Sequence, residues 1–398
     1  MTLRPLQAAL WIEALARRKA IAFASLFFLL AVAQTILLTV VPLKALALLG
    51  TARAVSVLYL AMSMAGLAGR LGIPWLNRLI RRRWVFSLGS LGFAAGALLL
   101  DIASLPALVV GLFLTTFAFA CLEITLNLYV LDHIPRHELG RFEPTRILVA
   151  AAPWSVGPWL GVYLQGAVAP LAPYAVAAAA ALALLALFWA LRLGENAVLQ
   201  AMRRPPPNPL RYLRRFFAQP RLRLAWLLAA ARSSWWSMFY VYAPIFAVTS
   251  GLGAEAGGAI VSIGLGWMWS VPLWGWVGRR YGLRRLLGIG YGLAGALSVA
   301  AASCLSRPWL GAVVLLLAAL GTETIDGAGN LLFLRAVHPY ERAEMTTVYV
   351  SYRDASQFVP PGLFALLLTL FSLPSVFAAG GLMMLGAAAL TRHIPRRF

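Results

Sequence analysis

Acidic side chains are scarce in this 398-residue chain: 13 Asp and Glu stand against 34 Lys and Arg, for a formal net charge of +21. Charged residues of both signs make up only 12% of it, while 61% is apolar and the mean hydropathy is +0.81. A water-soluble chain of this length needs more polar surface than that to cover itself. Only two cysteines occur, Cys121 and Cys304, both in apolar runs, which excludes a disulfide framework. His133 and His137 stand at helical spacing in a short loop beside Asp132 and Glu138; they read as surface residues, and no metal is expected. A Gly-x-x-x-x-Gly-Lys phosphate loop, a nucleophile elbow and a zincin helix are all missing, so neither ATP-driven transport nor an enzyme is indicated, and no cofactor is expected.

A strongly basic chain invites a nucleic-acid reading. Here the arginines instead fall in short clusters between apolar runs, such as Arg81-Arg82-Arg83 and Arg279-Arg280, and at both ends. Clusters confined to alternate loops are the mark of cytoplasmic loops in a membrane protein. The expected partners are therefore the lipid bilayer, a small-molecule substrate and protons, with no nucleic acid, and the chain is read as a monomer. Both termini are expected in the cytoplasm, in the cell (inner) membrane. Arg17 to Ala33 resembles a signal peptide, but further apolar runs follow, so it reads as an uncleaved first span.

Twelve runs are long enough to span, at roughly 20 residues each. They cover 20–43, 53–72, 84–102, 106–130, 145–166 and 171–192, then 223–248, 256–278, 286–304, 308–334, 345–371 and 374–391. The stretch 193–222 carries Pro205-Pro206-Pro207 and many arginines; it predicts a semi-rigid cytoplasmic linker. Its Tyr212, Phe216 and Phe217 are expected on the inner leaflet, and the first 18 residues could form a similar surface helix. Gly288-x-x-x-Gly292 in span nine predicts close helix packing.

An internal repeat organises these spans. Glu123-x-x-x-Asn127 in span four recurs as Asp326-x-x-x-Asn330 in span ten, 203 positions later. Gly157-Pro158 is matched by Pro360-Pro361 at the same offset, and Pro42 by Pro244 at 202. The basic loop Asn77 to Arg82 is matched by Arg279 to Arg285. A repeat near half the chain length predicts two homologous halves. The expected fold is an all-α polytopic membrane protein of twelve transmembrane helices in two pseudo-symmetric six-helix halves, 1–192 and 223–398, around a central cavity.

These features resemble the major facilitator superfamily across essentially the whole chain. That family's loop signature places Gly, three residues, Asp, Arg, one residue, Gly and two basic residues after spans two and eight. Gly275, Arg280, Gly282, Arg284 and Arg285 match it, with Leu283 as an extra residue and Arg279 in place of the acid. In the first copy Arg78, Arg81 and Arg82 are kept, while Asn77 replaces the acid and Ile80 the glycine. The resemblance implies a gating role for Arg78, Arg280 and Gly282. Gly157-Pro158-Trp159-Leu160-Gly161 looks like the core of a motif of proton-driven exporters in that superfamily, with Pro153 where a glycine is usual. Gly-Pro pairs also kink membrane helices for packing alone.

Ionisable groups inside the hydrocarbon layer are costly enough to be functional candidates. Glu123 and Asp326 each lie 17 residues into their spans, counted from Pro106 and Trp309, roughly 25 Å down at about 1.5 Å per residue. Asn127 shares a helical face with Glu123, and Glu323, Asp326 and Asn330 form one stripe with Thr322. The resemblance implies that spans one, four, seven and ten line the cavity. Glu123, Asp326 and Glu323 are the proton-coupling candidates, or else structural partners of Arg232 and Arg353. Arg232, Trp236 and Tyr240 repeat at i, i+4 and i+8 and suggest a cation beside an aromatic wall; a snorkelling Arg is the alternative. With Gln34, Asn127 and Asn330 they are the substrate-binding candidates. Arg353 and Asp354 are candidate ion-pair residues. The expectation is a secondary transporter of a small organic solute working by alternating access, coupled to protons and directed to export. Uptake is the second reading, and a transport-inactive sensor or assembly protein the third.

Overall fold

The computed structural model describes residues 4–134, 136–191, 209–304, 307–328 and 330–395. Side chains are described within these except at 4–20, 74, 75, 77, 78, 136–141, 143, 144, 339 and 343. The described residues are helical throughout, with no strand among them. Lipid offers no partner for backbone N–H and C=O, so a helix is the one local structure that satisfies such apolar runs without neighbours.

The first six spans are α1 (Arg4–Leu49), α2 (Ala52–Leu79), α3 (Arg82–Leu99), α4 (Leu105–His133), α5 (Arg136–Ala167) and α6 (Ala172–Ala190). A short helix α7 (Pro209–Ala218) precedes α8 (Pro220–Thr249). Then come α9 (Ala254–Gly266), α10 (Val271–Tyr281), α11 (Leu283–Ser303), α12 (Pro308–Asp326), α13 (Leu331–Ala336), α14 (Arg342–Tyr349), α15 (Ser351–Leu370) and α16 (Pro374–Leu390). Proline at the first or second position opens α4, α6, α8, α10, α12 and α16, where its missing N–H costs nothing. Nine stretches are long and apolar enough to cross a membrane among the described residues. The helices α3, α8 and α15 fall outside that set; they carry Arg82 and Arg83, Arg232, and Arg353 with Asp354.

Three details differ from the sequence reading. The N-terminal segment is not a separate surface helix, because α1 runs unbroken from Arg4. Spans eight and ten are interrupted rather than continuous. A 3-10 turn over Trp267–Ser270 separates α9 from α10, and α12 stops at Asp326 before α13. These breaks meet: a Cβ on Gly327 would lie 3.1 Å from the Gly275 nitrogen and closer still to Trp274. Ser270 Oγ donates to the Trp267 carbonyl at 2.6 Å and accepts from Trp274 Nε1 at 2.8 Å, reclaiming a backbone acceptor freed by the turn. Third, α7 does not lay all its aromatics on a lipid surface. Phe216 is fully buried among Leu222, Phe333, Val337, Met345 and Tyr349, and Arg215 pairs with Glu341. Burying a phenylalanine beside a ready-made carboxylate partner outweighs spreading it on the bilayer.

The chain packs as two compact units, one within 1–37 and 65–203, the other within 38–64 and 204–398. In the first unit Phe86 stacks on Phe188 at 4.2 Å and Arg82 pairs with Asp132 at 2.8 Å. Gly157 brings α5 onto α1, since a Cβ there would lie 2.7 Å from Thr35 Cβ. In the second unit Trp235 Nε1 donates to Ser298 Oγ at 2.8 Å, tying α8 to α11. There α11 crosses α16 through Gly295 and Gly381, each too close to the other's carbonyl for a Cβ. Gly292 faces open space and Gly288 meets only Thr391, so the tight crossing falls at a glycine outside the expected pair.

Candidate functional site

A charged cluster occupies the middle of the second unit. It begins with α8, whose positions 232, 236 and 240 share one face by the i, i+4 rule. Arg232 Nη1 lies 2.8 Å from Asp326 Oδ1, at the last residue of α12. Trp236 Nε1 donates to the other carboxylate oxygen at 2.9 Å. One carboxylate thus bridges a guanidinium and an indole from successive turns of α8. Tyr240 continues the row, its ring stacked on Trp236 with centroids 5.5 Å apart.

Glu323 sits one turn before Asp326 and is 3% exposed, within electrostatic reach of both Asp326 and Arg232. Its carboxyl makes no hydrogen bond among the described residues. Counted formally, Arg232, Asp326 and Glu323 carry one net negative charge with both acids ionised and none with one proton bound. The ion pair is not sealed: the Arg232 side chain is 11% exposed and that of Asp326 29%. An exposed carboxylate edge backed by a cation is a place where an incoming charged or polar group can compete.

The break after Asp326 shapes the site from below. Asn330 is exposed just past it, its Oδ1 accepting from Tyr349 OH at 3.2 Å, and Tyr349 stacks on Phe333 at 4.0 Å. The sequence reading missed Ser356, which donates to Ser233 Oγ at 2.7 Å and fastens α15 to α8 beside Arg232. The unusually polar run Ser233-Ser234-Trp235-Trp236-Ser237 was its available signal. Arg353 is exposed, with Nε 3.4 Å from Tyr352 OH and its guanidinium over that ring. Asp354 is half-buried on the same helix.

In the first unit Gln34 of α1 and Glu123 and Asn127 of α4 are half-buried, and none has a hydrogen-bond partner among the described residues. Nearby Thr35 and Thr125 hold buried hydroxyls that are likewise unpaired. Of the loop residues, the side chain of Arg78 lies outside those described. Arg280 is exposed over Trp276, 5.8 Å from its centroid. Gly282 closes α10 at φ 94°, in the left-handed region that favours glycine, so its place in the loop signature has a backbone cause.

A family model described as Major Facilitator Superfamily matches residues 23–359. No curated protein matches the sequence. Several solved structures share the fold. A POT family transporter in complex with 5-aminolevulinic acid superposes with a TM-score of 0.72 at 12% identity, over 94% of this chain and 95% of that one. A peptide transporter POT in complex with sulfate gives 0.71 at 15% identity, over 95% and 94%. The nucleoside transporter NupG gives 0.73 at 12%, over 94% and 98%. At such identities the likeness is one of fold.

Proposed function

The chain belongs to the Major Facilitator Superfamily of membrane transporters, and from that premise we propose that it exports a small organic solute in exchange for protons. The observation that carries this reading is the Arg232–Asp326–Trp236 cluster with Glu323 behind it. A single cation shared between two acids makes the second acid's charge conditional. Burying that charge unpaired costs several kcal/mol by general estimates of ion desolvation, so a proton or a substrate cation must accompany it. A proton and a substrate that compete for one carboxylate are coupled by mass action alone, and rocking of the two halves carries whichever is bound.

In this reading Asp326 and Glu323 hold the exchangeable proton. Arg232 and Trp236 hold the Asp326 carboxylate in the geometry that substrate meets. The Trp236–Tyr240 stack offers a flat wall for a ring or apolar part of the solute, and Asn330 a polar contact below it. Within the first unit, Glu123, Asn127 and Gln34 are proposed as polar contacts for protons or solute: a half-buried carboxylate and two amides without partners among the described residues are suited to binding. Export over uptake rests on the resemblance of Gly157-Pro158-Trp159-Leu160-Gly161 to the exporter motif.

Untargeted metabolite profiling of cells and medium tests the direction. Cells carrying the wild-type chain should enrich a compound in the medium relative to cells carrying Asp326→Asn at matched expression. Depletion of a compound from the medium would instead establish uptake. Identical profiles would favour a chain whose Arg232–Asp326 pair is structural and which does not transport.

A further inference from the structure

A second feature lies away from the charged cluster, at the end of the helices that carries the arginine clusters. Between the start of α8 and the end of α16 is a cleft of about 240 Å³. Its polar lining is Arg221, Arg223 and His393, and its apolar lining includes Leu224, Leu227 and Leu390. Arg221 and Arg223 are exposed, and neither makes an ion pair or side-chain hydrogen bond among the described residues. His393 is exposed, with Nδ1 3.3 Å from the Leu390 carbonyl. No acid lines the cleft, and Glu341 is already taken by Arg215 and Gln219. One turn along α8 from Arg223, Leu227 is 40% exposed.

The lining thus changes from cationic to aliphatic along α8, from Arg221 and Arg223 to Leu224 and Leu227. A soluble anion would use the first part only, whereas a phospholipid matches both, phosphate against the guanidinium pair and acyl chain along the leucines. We infer that this cleft binds the headgroup of an anionic phospholipid. Each basic side chain near an anionic lipid surface contributes about a factor of five in binding, so removing two should weaken it by at least about tenfold.

Native mass spectrometry of the purified full chain in a neutral detergent, with phosphatidylglycerol and phosphatidylcholine in equal amounts, tests this. The wild type should retain phosphatidylglycerol preferentially. Arg221→Gln with Arg223→Gln should lose that preference, while Arg335→Gln with Arg342→Gln, the same charge removed elsewhere at that end, should keep it. Leu227→Asn, which changes no charge, should also weaken retention. Equal retention of the two lipids by the wild type, or equal loss in both paired variants, would overturn the site. Displacement of the lipid by inorganic phosphate at the lipid's own concentration would overturn the choice of a lipid.

Discussion

Arg232 stands some nine residues inside its span with a carboxylate on one side and an indole on the next turn. The sequence placed Arg232, Trp236 and Tyr240 on one face by spacing alone. It left open which acid, if any, would meet them, because that pairing joins residues 90 or more positions apart and depends on how α12 is laid against α8. Two variants separate the roles. Arg232→Ala leaves Asp326 without its cation, a loss of up to about 3 kcal/mol for a partly buried pair. The half-saturation concentration for the transported solute should rise at least about tenfold, and an unaltered value would return Arg232 to a snorkelling role. Trp236→Phe keeps the stack on Tyr240 but removes the N–H donor, worth about 1 kcal/mol. A rise of about fivefold in the same constant is expected, with protein yield unchanged.

Among the elements, periodicity and proline placement made the helices legible and left their interruptions hidden. Pro42 and Pro244, a repeated pair in the sequence, both lie inside long helices, and Gly257 lets α9 approach α8 at Pro244, where a Cβ would lie 3.0 Å from Pro244 Cα. At the break after Asp326, Gly327 meets the backbone of α10, and Gly327, Gly329 and Asn330 were the local helix-stop signal that the reading of a continuous span passed over. Likewise Gly-x-x-x-Gly spacing in α11 shows that glycines share a face but not which face meets a neighbour, and Gly295 rather than Gly292 proved to be the crossing point. Gly157 makes the sharpest test at this scale. Gly157→Ala forces a Cβ into Thr35 and should lower stability by about 1–3 kcal/mol, as overpacking does. A fall in the detergent melting temperature that Thr35→Ala partly restores would confirm it, and an unshifted melting temperature would dismiss it. Gly282→Ala, strained at φ 94°, should cost about 1 kcal/mol and reduce transport more than expression.

Over the whole molecule, the twofold repeat in the sequence predicted two halves, yet the compact units divide the chain elsewhere. Residues 38–64 pack with the second unit, where Ser56 Oγ and Tyr242 OH are hydrogen-bonded at 2.6 Å and Ser63 Oγ donates to the Gln357 carbonyl at 2.8 Å. Homology between halves is a property of sequence, whereas packing belongs to one conformation, which explains why the repeat did not foretell this partition. Under the proposed alternating access, the hairpin would release these bonds in each cycle. In a background lacking Cys121 and Cys304, Val55→Cys reports that release, because Val55 is fully buried. Adding Tyr242→Phe removes about 1 kcal/mol of hydrogen bonding and should speed thiol labelling about fivefold. An unchanged rate would mean that the hairpin does not detach.

The central claim, that the Arg232–Asp326–Glu323 cluster couples solute movement to protons, is most directly tested by flux in proteoliposomes under an imposed pH gradient. The solute is the compound that profiling identifies, and wild type is compared with Asp326→Asn. Wild-type flux should follow the gradient, and the variant should retain at most solute exchange that ignores it. Equal proton dependence in the two would remove Asp326 from the mechanism and contradict the account.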